Sequence, residues 1–154
     1  MHTLVMALWQ FDVCMIPRGA PSPSRGTDGY DATPVAASLA ARAMAWCGAR
    51  WPRQTWSEGF FVFGDDQGCR IDMLVDDDGC AELLARIDLR SPHDGFCESA
   101  CELASVLDCV LFSPEFWCPL RPDADELLAF AGRSRAARFV KDPHAVLRGE
   151  GPVC

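Results

Sequence analysis

The sequence has little lysine and no long apolar run. Lys141 is the only lysine, so arginine supplies 13 of the 14 basic residues. No stretch of about 18 apolar residues occurs, and no membrane-spanning helix is expected. A basic stripe of the kind that binds nucleic acid is also missing. Acidic residues number 22, which gives a net charge of −8. A surface this acidic favours basic partners.

The nine cysteines form no C-x-x-C pair, the spacing typical of zinc and dithiol redox sites. Their number is odd, and most of them fall within apolar patterns. We therefore expect reduced, buried thiols in a cytoplasmic protein, with no metal and no cofactor. No positively charged segment precedes the first apolar run, and Asp12 interrupts that run, so a secretory signal is not expected.

The length of 154 residues, with 49% apolar and 23% charged residues, is typical of one globular domain. We therefore expect residues 1–154 to fold as a single domain. Residues 17–29 are rich in Pro, Gly, Ser and Arg and are expected to form a mobile loop within it.

Alternating apolar residues predict several strands. They are predicted at 4–16, 60–63, 69–75, 83–89 and 109–112. Acidic turns separate the middle three, which favours an antiparallel meander. A short helix at 80–87 is the alternative for the last strand of that meander. Residues 113–122 are expected to be an irregular loop.

Apolar residues at helical spacing, together with capping residues, predict the helices. The first helix is predicted at 34–47 with Thr33 as N-cap. The second is predicted to begin at Ser91-Pro92 and to include Leu103 and Leu107. The third is predicted at 123–131 with Asp123 as N-cap, and a short last helix is predicted after Asp142-Pro143. The pattern of residues 133–140 does not favour a helix or a strand. The order of strands and helices predicts an α+β, two-layer domain with a mainly antiparallel sheet and helices packed on one face.

Catalytic motifs are incomplete. The segment 132–136 approximates G-x-S-x-G around Ser134, but Ala136 replaces the last glycine and a predicted helix precedes it. The spacing of histidines and cysteines selects no nucleophile pair. No glycine-rich phosphate loop is present. An enzyme whose site cannot be read from sequence stays an alternative.

Two acidic turns are candidate sites for a cationic partner. Asp65-Asp66 forms one, and Asp76-Asp77-Asp78 forms the other. The second does not fit an EF-hand, because the first ligand and the final glutamate are missing. Both turns flank one predicted strand, so we expect them at its opposite ends. Acidic turns can steer a basic protein, although solvated turn residues are the alternative.

Tryptophans near the ends of elements are further candidates. Trp56 and Trp117 are expected there or in loops, and tryptophan is common at protein-binding hot spots. The alternative is that these rings cover the edge of the core. The candidate partner-binding residues are therefore Asp65, Asp66, Trp56, Trp117, Asp76, Asp77 and Asp78.

The sequence resembles a known class of proteins in three segments, which are residues 60–65, 102–112 and 134–143. They resemble bacterial immunity proteins of polymorphic toxin systems, with immunity family fifty-two as the nearest suggestion. The resemblance implies an α+β protein without catalytic activity that binds a cognate toxin domain, such as a nuclease, and blocks its active site. An adaptor that binds a non-toxin protein is the alternative.

Overall fold

The computed structural model describes residues 7–27 and 29–149. The strands are β1 (Gln10–Pro17), β2 (Ser24–Gly26), β3 (Gly29–Asp31), β4 (Arg53–Ser57), β5 (Phe60–Gly64), β6 (Arg70–Val75), β7 (Ala81–Asp88), β8 (Cys109–Ser113) and β9 (Cys118–Leu120). The helices are α1 (Ala37–Gly48), α2 (Asp94–Val106), α3 (Ala124–Gly132), α4 (Arg135–Lys141) and α5 (Pro143–Leu147).

Seven strands form an antiparallel sheet in the order β4-β5-β6-β7-β1-β8-β9, while β2 and β3 form a separate hairpin. The meander of β5, β6 and β7 is confirmed. The helical alternative for 80–87 is wrong, because β7 pairs along its length with β6 on one side and with β1 on the other. The predicted α+β class is confirmed.

The two faces of the sheet carry different side chains. Phe11 and Val13 of β1, and Ala85 and Ile87 of β7, are fully buried against residues of α1, α2 and α3. The intervening residues of the same strands point to the other face, since side chains alternate along a strand. On that other face, Tyr30 of the hairpin belongs to a second hydrophobic cluster. None of the described residues of this cluster lies in a helix.

The first strand and the first helix begin later than predicted. Residues 7–9 of the predicted strand at 4–16 form a turn, closed by a hydrogen bond from the Gln10 amide to the Ala7 carbonyl, and 4–6 lie outside the described residues. The first helix begins at Ala37 rather than Pro34. Val35 is held in a β-bridge with Ala81, so Thr33 is not the N-cap.

Four segments contain structure that the patterns did not predict. The expected loop at 17–29 includes β2 and the start of β3, and the expected loop at 113–122 includes β9. Strand β4 was not predicted, because all five of its side chains are exposed and show no alternation. Helix α2 begins at Asp94 rather than at Ser91, and α4 covers most of 133–140. Helices α3 and α5 start after Asp123 and Asp142 as predicted.

Candidate functional site

A buried group of charges lies on the sheet face that the helices leave uncovered. Asp12, Asp72 and Arg86 come from the adjacent strands β1, β6 and β7, and their exposed fractions are 2%, 1% and 9%. Arg86 Nε donates to Asp72 Oδ2 at 2.7 Å, and Arg86 Nη1 lies 3.3 Å from Asp12 Oδ2. One guanidinium therefore joins two carboxylates across three strands.

Arg70 connects this group to the sheet edge. Its Nε lies 2.9 Å from Asp72 Oδ1, an ionic contact without hydrogen-bond alignment. Its Nη1 donates to the Asp66 carbonyl at 2.8 Å, and its guanidinium lies 4.8 Å from the centre of the Trp56 ring. Arg70 thus touches the buried charges, the first acidic turn and an exposed tryptophan.

Asp12 keeps unused hydrogen-bonding capacity. Its Oδ1 is buried and has no hydrogen-bond partner among the described residues. Burial, reinforced by the neighbouring Asp72 charge and opposed by Arg86 and Arg70, raises the pKa of Asp12 from 3.8 to about 6. Buried polar atoms without a partner are uncommon, and raised carboxylate pKa values cluster at functional sites. Asp12 is therefore the residue of this group that most favours a functional interpretation.

The Asp12 titration predicts an unusual pH dependence. Because the folded pKa of about 6 exceeds 3.8, the contribution of Asp12 to stability is fully present below pH 3.8 and is lost as the pH rises through 6. Asp12→Asn mimics the protonated form. The free energy of unfolding of this variant should therefore rise relative to the parent by on the order of 2–3 kcal/mol between pH 4 and 7. Denaturant titrations at several pH values check this, and parallel curves for the two proteins would refute it.

A cavity of about 100 Å³ adjoins the buried charges. Its walls include the apolar or aromatic side chains of Tyr30, Phe60, Leu74 and Leu84, and its polar lining includes Asp72, Glu82, Arg86 and Thr33. This volume accommodates a group of several heavy atoms rather than a single water molecule. Tyr30 reaches the cavity from the hairpin, whereas the other lining residues named here belong to the sheet.

Trp56 and Phe60 form an aromatic pair at the rim. Their rings stack with centres 5.5 Å apart and planes 3° from parallel, and Trp56 is 48% exposed. Trp56 Nε1 also donates to Gln54 Oε1 at 3.0 Å, which fixes the ring. We call the surface that joins this pair to the cavity and the charges the open face. It consists of Trp56, Phe60, Arg70, Asp72, Leu74, Glu82 and Arg86.

The two acidic turns lie at opposite ends of β6, as expected. Asp65 Oδ1 accepts a hydrogen bond from the Gln67 amide at 2.9 Å, and Asp76 Oδ1 accepts from the Asp78 and Cys80 amides. The first aspartate of each turn therefore stabilises its own loop. The first turn contacts the open face through the hydrogen bond from Arg70 to the Asp66 carbonyl, whereas the second turn joins the strands that carry Leu74 and Glu82 of that face. Asp77 and Asp78 are exposed at the far end.

Trp117 has a different environment from Trp56. Its ring meets Phe112 and Tyr30 edge-on, with centres 5.0 and 6.3 Å away, and the Arg25 guanidinium lies 4.1 Å from its centre. These contacts hold the hairpin against the sheet. They favour the alternative in which Trp117 covers the edge of the core.

The surroundings of Cys14, Cys47, Cys97 and Ser134 do not favour nucleophilic chemistry. Burial raises the pKa values of Cys14, Cys47 and Cys97 to about 12, so their reactive thiolate forms are scarce at neutral pH. Ser134 caps α4: its Oγ donates to the Ala131 carbonyl at 2.6 Å and accepts from the Ala137 amide at 3.2 Å. Within residues 7–27 and 29–149, no group of three potential metal ligands occurs.

The charged part of the site was missed in the sequence. Asp12 was interpreted only as an interruption of an apolar run, and Asp72 and Arg86 only as the polar residues of alternating strands. These residues could have been identified from the sequence by the opposite charges that neighbouring interior strands carry. Such a pair is costly to bury unless both partners meet.

A comparison with protein-family models, curated proteins and solved structures finds no significant match to this chain. None of the helices that the structure describes is long and apolar enough to cross a membrane.

Proposed function

We propose that this chain is an immunity protein that binds a cognate bacterial toxin domain through the open face and blocks the toxin's active site. The observation that carries the proposal is the stacking of the exposed Trp56 ring on the half-buried Phe60 ring. This pair stands beside fixed, buried charges on the face that the described helices leave uncovered. The net charge of −8 supports a basic partner such as a nuclease domain.

The open face has the composition of a binding surface. Tryptophan and arginine are enriched among residues that dominate binding energy, and here Arg70 lies against Trp56. The ion pairs of Arg70 and Arg86 with Asp72 hold these side chains in place before a partner arrives. A surface that is already ordered loses less conformational entropy on binding.

The direct test uses the toxin domain encoded next to the gene for this chain. Co-expression of the two proteins should restore growth to cells that the toxin alone kills, and the purified proteins should form a stable complex. The proposal fails if the adjacent gene encodes no toxin domain, or if co-expression leaves the toxin fully active.

Trp56→Ala should weaken toxin binding strongly. Removal of a hot-spot tryptophan costs about 2 kcal/mol or more, which is about a 30-fold increase in Kd. Titration calorimetry measures this change, with Leu147→Ala as the control because Leu147 is 67% exposed on α5. Equal Kd values for the two variants would remove Trp56 from the interface.

Replacing Asp65 and Asp66 with asparagine should slow association and flatten its dependence on salt. Asparagine keeps the oxygen that closes the turn but removes the charges that steer a basic partner. Stopped-flow kinetics over a salt series measure the effect. Asp77→Asn/Asp78→Asn carries the same charge change at the far end of β6 and should leave the association rate closer to that of the parent. Identical salt profiles for all three proteins would contradict a steering role.

An adaptor for a non-toxin protein is the second candidate. Strand β4 is at the edge of the sheet, and all five of its side chains are exposed. An open edge can pair with an extended segment of a partner. This candidate gains support if the chain binds an extended peptide along β4 and does not protect cells from any adjacent toxin.

A further inference from the structure

We propose that an open groove at the edge of the sheet, outside the open face, receives an arginine side chain of the bound toxin. This inference rests on the proposed function and adds a second contact to it. The groove has a volume of about 640 Å³ and lies where the first acidic turn meets the start of β4 and the start of α2. Ligand sites commonly have volumes of about 300–1,000 Å³, so the groove has room for one long side chain and the backbone next to it.

The charged side chains that line the groove are acidic. Asp65 and Asp66 belong to the lining, which among the described residues includes no arginine, lysine or histidine. Neither carboxylate forms an ion pair with a described residue, and the Gln67 amide is the one described donor that reaches either of them. Arg90 interacts electrostatically with Asp65 but is itself paired with Asp88, Nη2 to Oδ2 at 2.8 Å. The two carboxylates therefore keep acceptor positions for a cation.

The start of α2 does not reverse this preference. Gly95 and Phe96 of its first turn border the groove, and a helix N-terminus carries about half a positive charge. Asp94 lies in the same turn and offsets part of that charge. Two full negative charges, on Asp65 and Asp66, stand against the remainder. A phosphate or carboxylate would therefore bind less well in the groove than a cation.

Trp51 gives the groove an aromatic surface that no arginine of the described chain occupies. Its ring contacts the rings of Trp46 and Phe96, each with centres 5.7 Å away, and these contacts fix its position. Each of the other four tryptophans has a guanidinium between 3.5 and 4.8 Å from its ring centre. The flat face of a guanidinium stacks on indole while its edge donates to carboxylates. Trp51 and Asp66 together therefore match arginine better than lysine.

The groove is continuous with the proposed toxin contact at two residues. Asp66 lines the groove, and its carbonyl accepts a hydrogen bond from Arg70 of the open face at 2.8 Å. Gln54 also lines the groove, and its side chain accepts from Trp56 Nε1 at 3.0 Å. A toxin that covers Trp56 therefore lies next to the groove and needs no separate docking site to reach it.

The first experiment uses small probes and the full chain without toxin. N-acetyl-arginine-N-methylamide is titrated while the indole N–H resonance of Trp51 and the amide resonances of Asp66 and Phe96 are followed by NMR. The citrulline analogue has the same shape without the charge, and the lysine analogue has the charge without the flat group. We expect the arginine compound to bind with a Kd of about 1–10 mM, and the other two to bind about threefold to fivefold more weakly. Equal binding of all three probes, or shifts confined to other parts of the chain, would overturn the proposal.

Two pairs of variants locate the effect. Asp65→Asn/Asp66→Asn should weaken the arginine probe about fivefold, whereas Asp77→Asn/Asp78→Asn makes the same charge change outside the groove and should not. Trp51→Leu should weaken the probe about threefold to fivefold, whereas Trp56→Leu, the same replacement on the open face, should not. The asparagine variant keeps the oxygen that closes the turn, so it decides the matter even if Trp51→Leu fails to fold. Equal effects within the asparagine pair, or within the pair of folded tryptophan variants, refute the assignment.

Kinetics of the toxin complex distinguish contact from steering. Charges that only steer a partner change the association rate, whereas lost contacts change the dissociation rate. Trp51→Leu should therefore raise the dissociation rate of the complex about tenfold and leave its association rate nearly unchanged. Asp65→Asn/Asp66→Asn should raise the dissociation rate as well as slow association, whereas Asp77→Asn/Asp78→Asn should not change dissociation.

The same measurements separate this inference from the proposed function. If Trp56→Ala weakens the complex but Trp51→Leu and Asp65→Asn/Asp66→Asn dissociate at the parental rate, the proposed function stands and the groove holds no arginine of the toxin. If the arginine probe binds the groove but no adjacent toxin binds the chain, the proposed function fails, and the toxin as the source of the arginine fails with it.

Discussion

Arg86→Met should lower the free energy of unfolding by about 3–5 kcal/mol, because it leaves Asp12 and Asp72 buried without the guanidinium that joins them. Methionine retains much of the length and apolar bulk of the side chain. The loss therefore measures the uncompensated carboxylates rather than an empty space. Denaturant titration at pH 7 provides the measurement.

The control for this variant is Arg121→Met. Arg121 forms an ion pair with Glu126 at 3.4 Å, but its side chain is 80% exposed. Exposed pairs contribute about 0–1 kcal/mol, so the control should remain close to the parent. A loss below about 1 kcal/mol for Arg86→Met would show that water reaches Asp12 and Asp72 freely, and that the charges of the open face are not fixed in advance.

Leu103→Ala should cost about 2–5 kcal/mol of unfolding free energy. Leu103 is fully buried on α2 and belongs to the main core cluster beneath the sheet. The variant loses both the transfer energy of the deleted atoms and the contacts around the space they leave. The core is packed well enough that the backbone should not close this space completely.

Leu147→Ala makes the same chemical change at a residue that is 67% exposed, and its effect should stay within about 0.5 kcal/mol. A loss below about 1 kcal/mol for Leu103→Ala would contradict the placement of α2 against the sheet. Leu107, also fully buried and just beyond the end of α2, should respond as Leu103 does.

The elements that were predicted correctly have local signals. Asp123 caps α3 by accepting from the amides of Asp125 and Glu126, and Asp142 caps α5 by accepting from the Ala145 amide. The alternation in β6 and β7 follows from one face of the sheet being covered by helices. Such signals are visible in sequence because they depend on residues only a few positions apart.

The elements that were missed depend on distant contacts. Strand β4 exists because it pairs with β5 at the sheet edge, and its own side chains carry no apolar pattern. The hairpin of β2 and β3 is held by Tyr30, whose neighbours Cys14, Leu84 and Phe112 lie on three other strands. Helix α1 starts late because Val35 pairs with Ala81 across the chain.

The residues of the candidate site also differ in whether they depend on local or on distant contacts. Trp56 and the first acidic turn were candidates from sequence, since tryptophans near the ends of elements and charged turns are local features. The charge group was not, because Arg86 lies 74 positions from Asp12 and 14 from Asp72. Only the register of β1, β6 and β7 brings these three residues together.

Hydroxyl-radical footprinting of the chain alone and in complex with the adjacent toxin domain tests the central claim most directly. Trp56, Phe60 and Leu74 should lose reactivity in the complex, while the exposed Val106 and Leu147 should react as before. The account is contradicted if Val106 and Leu147 are protected and the three residues of the open face remain as reactive as in the free chain.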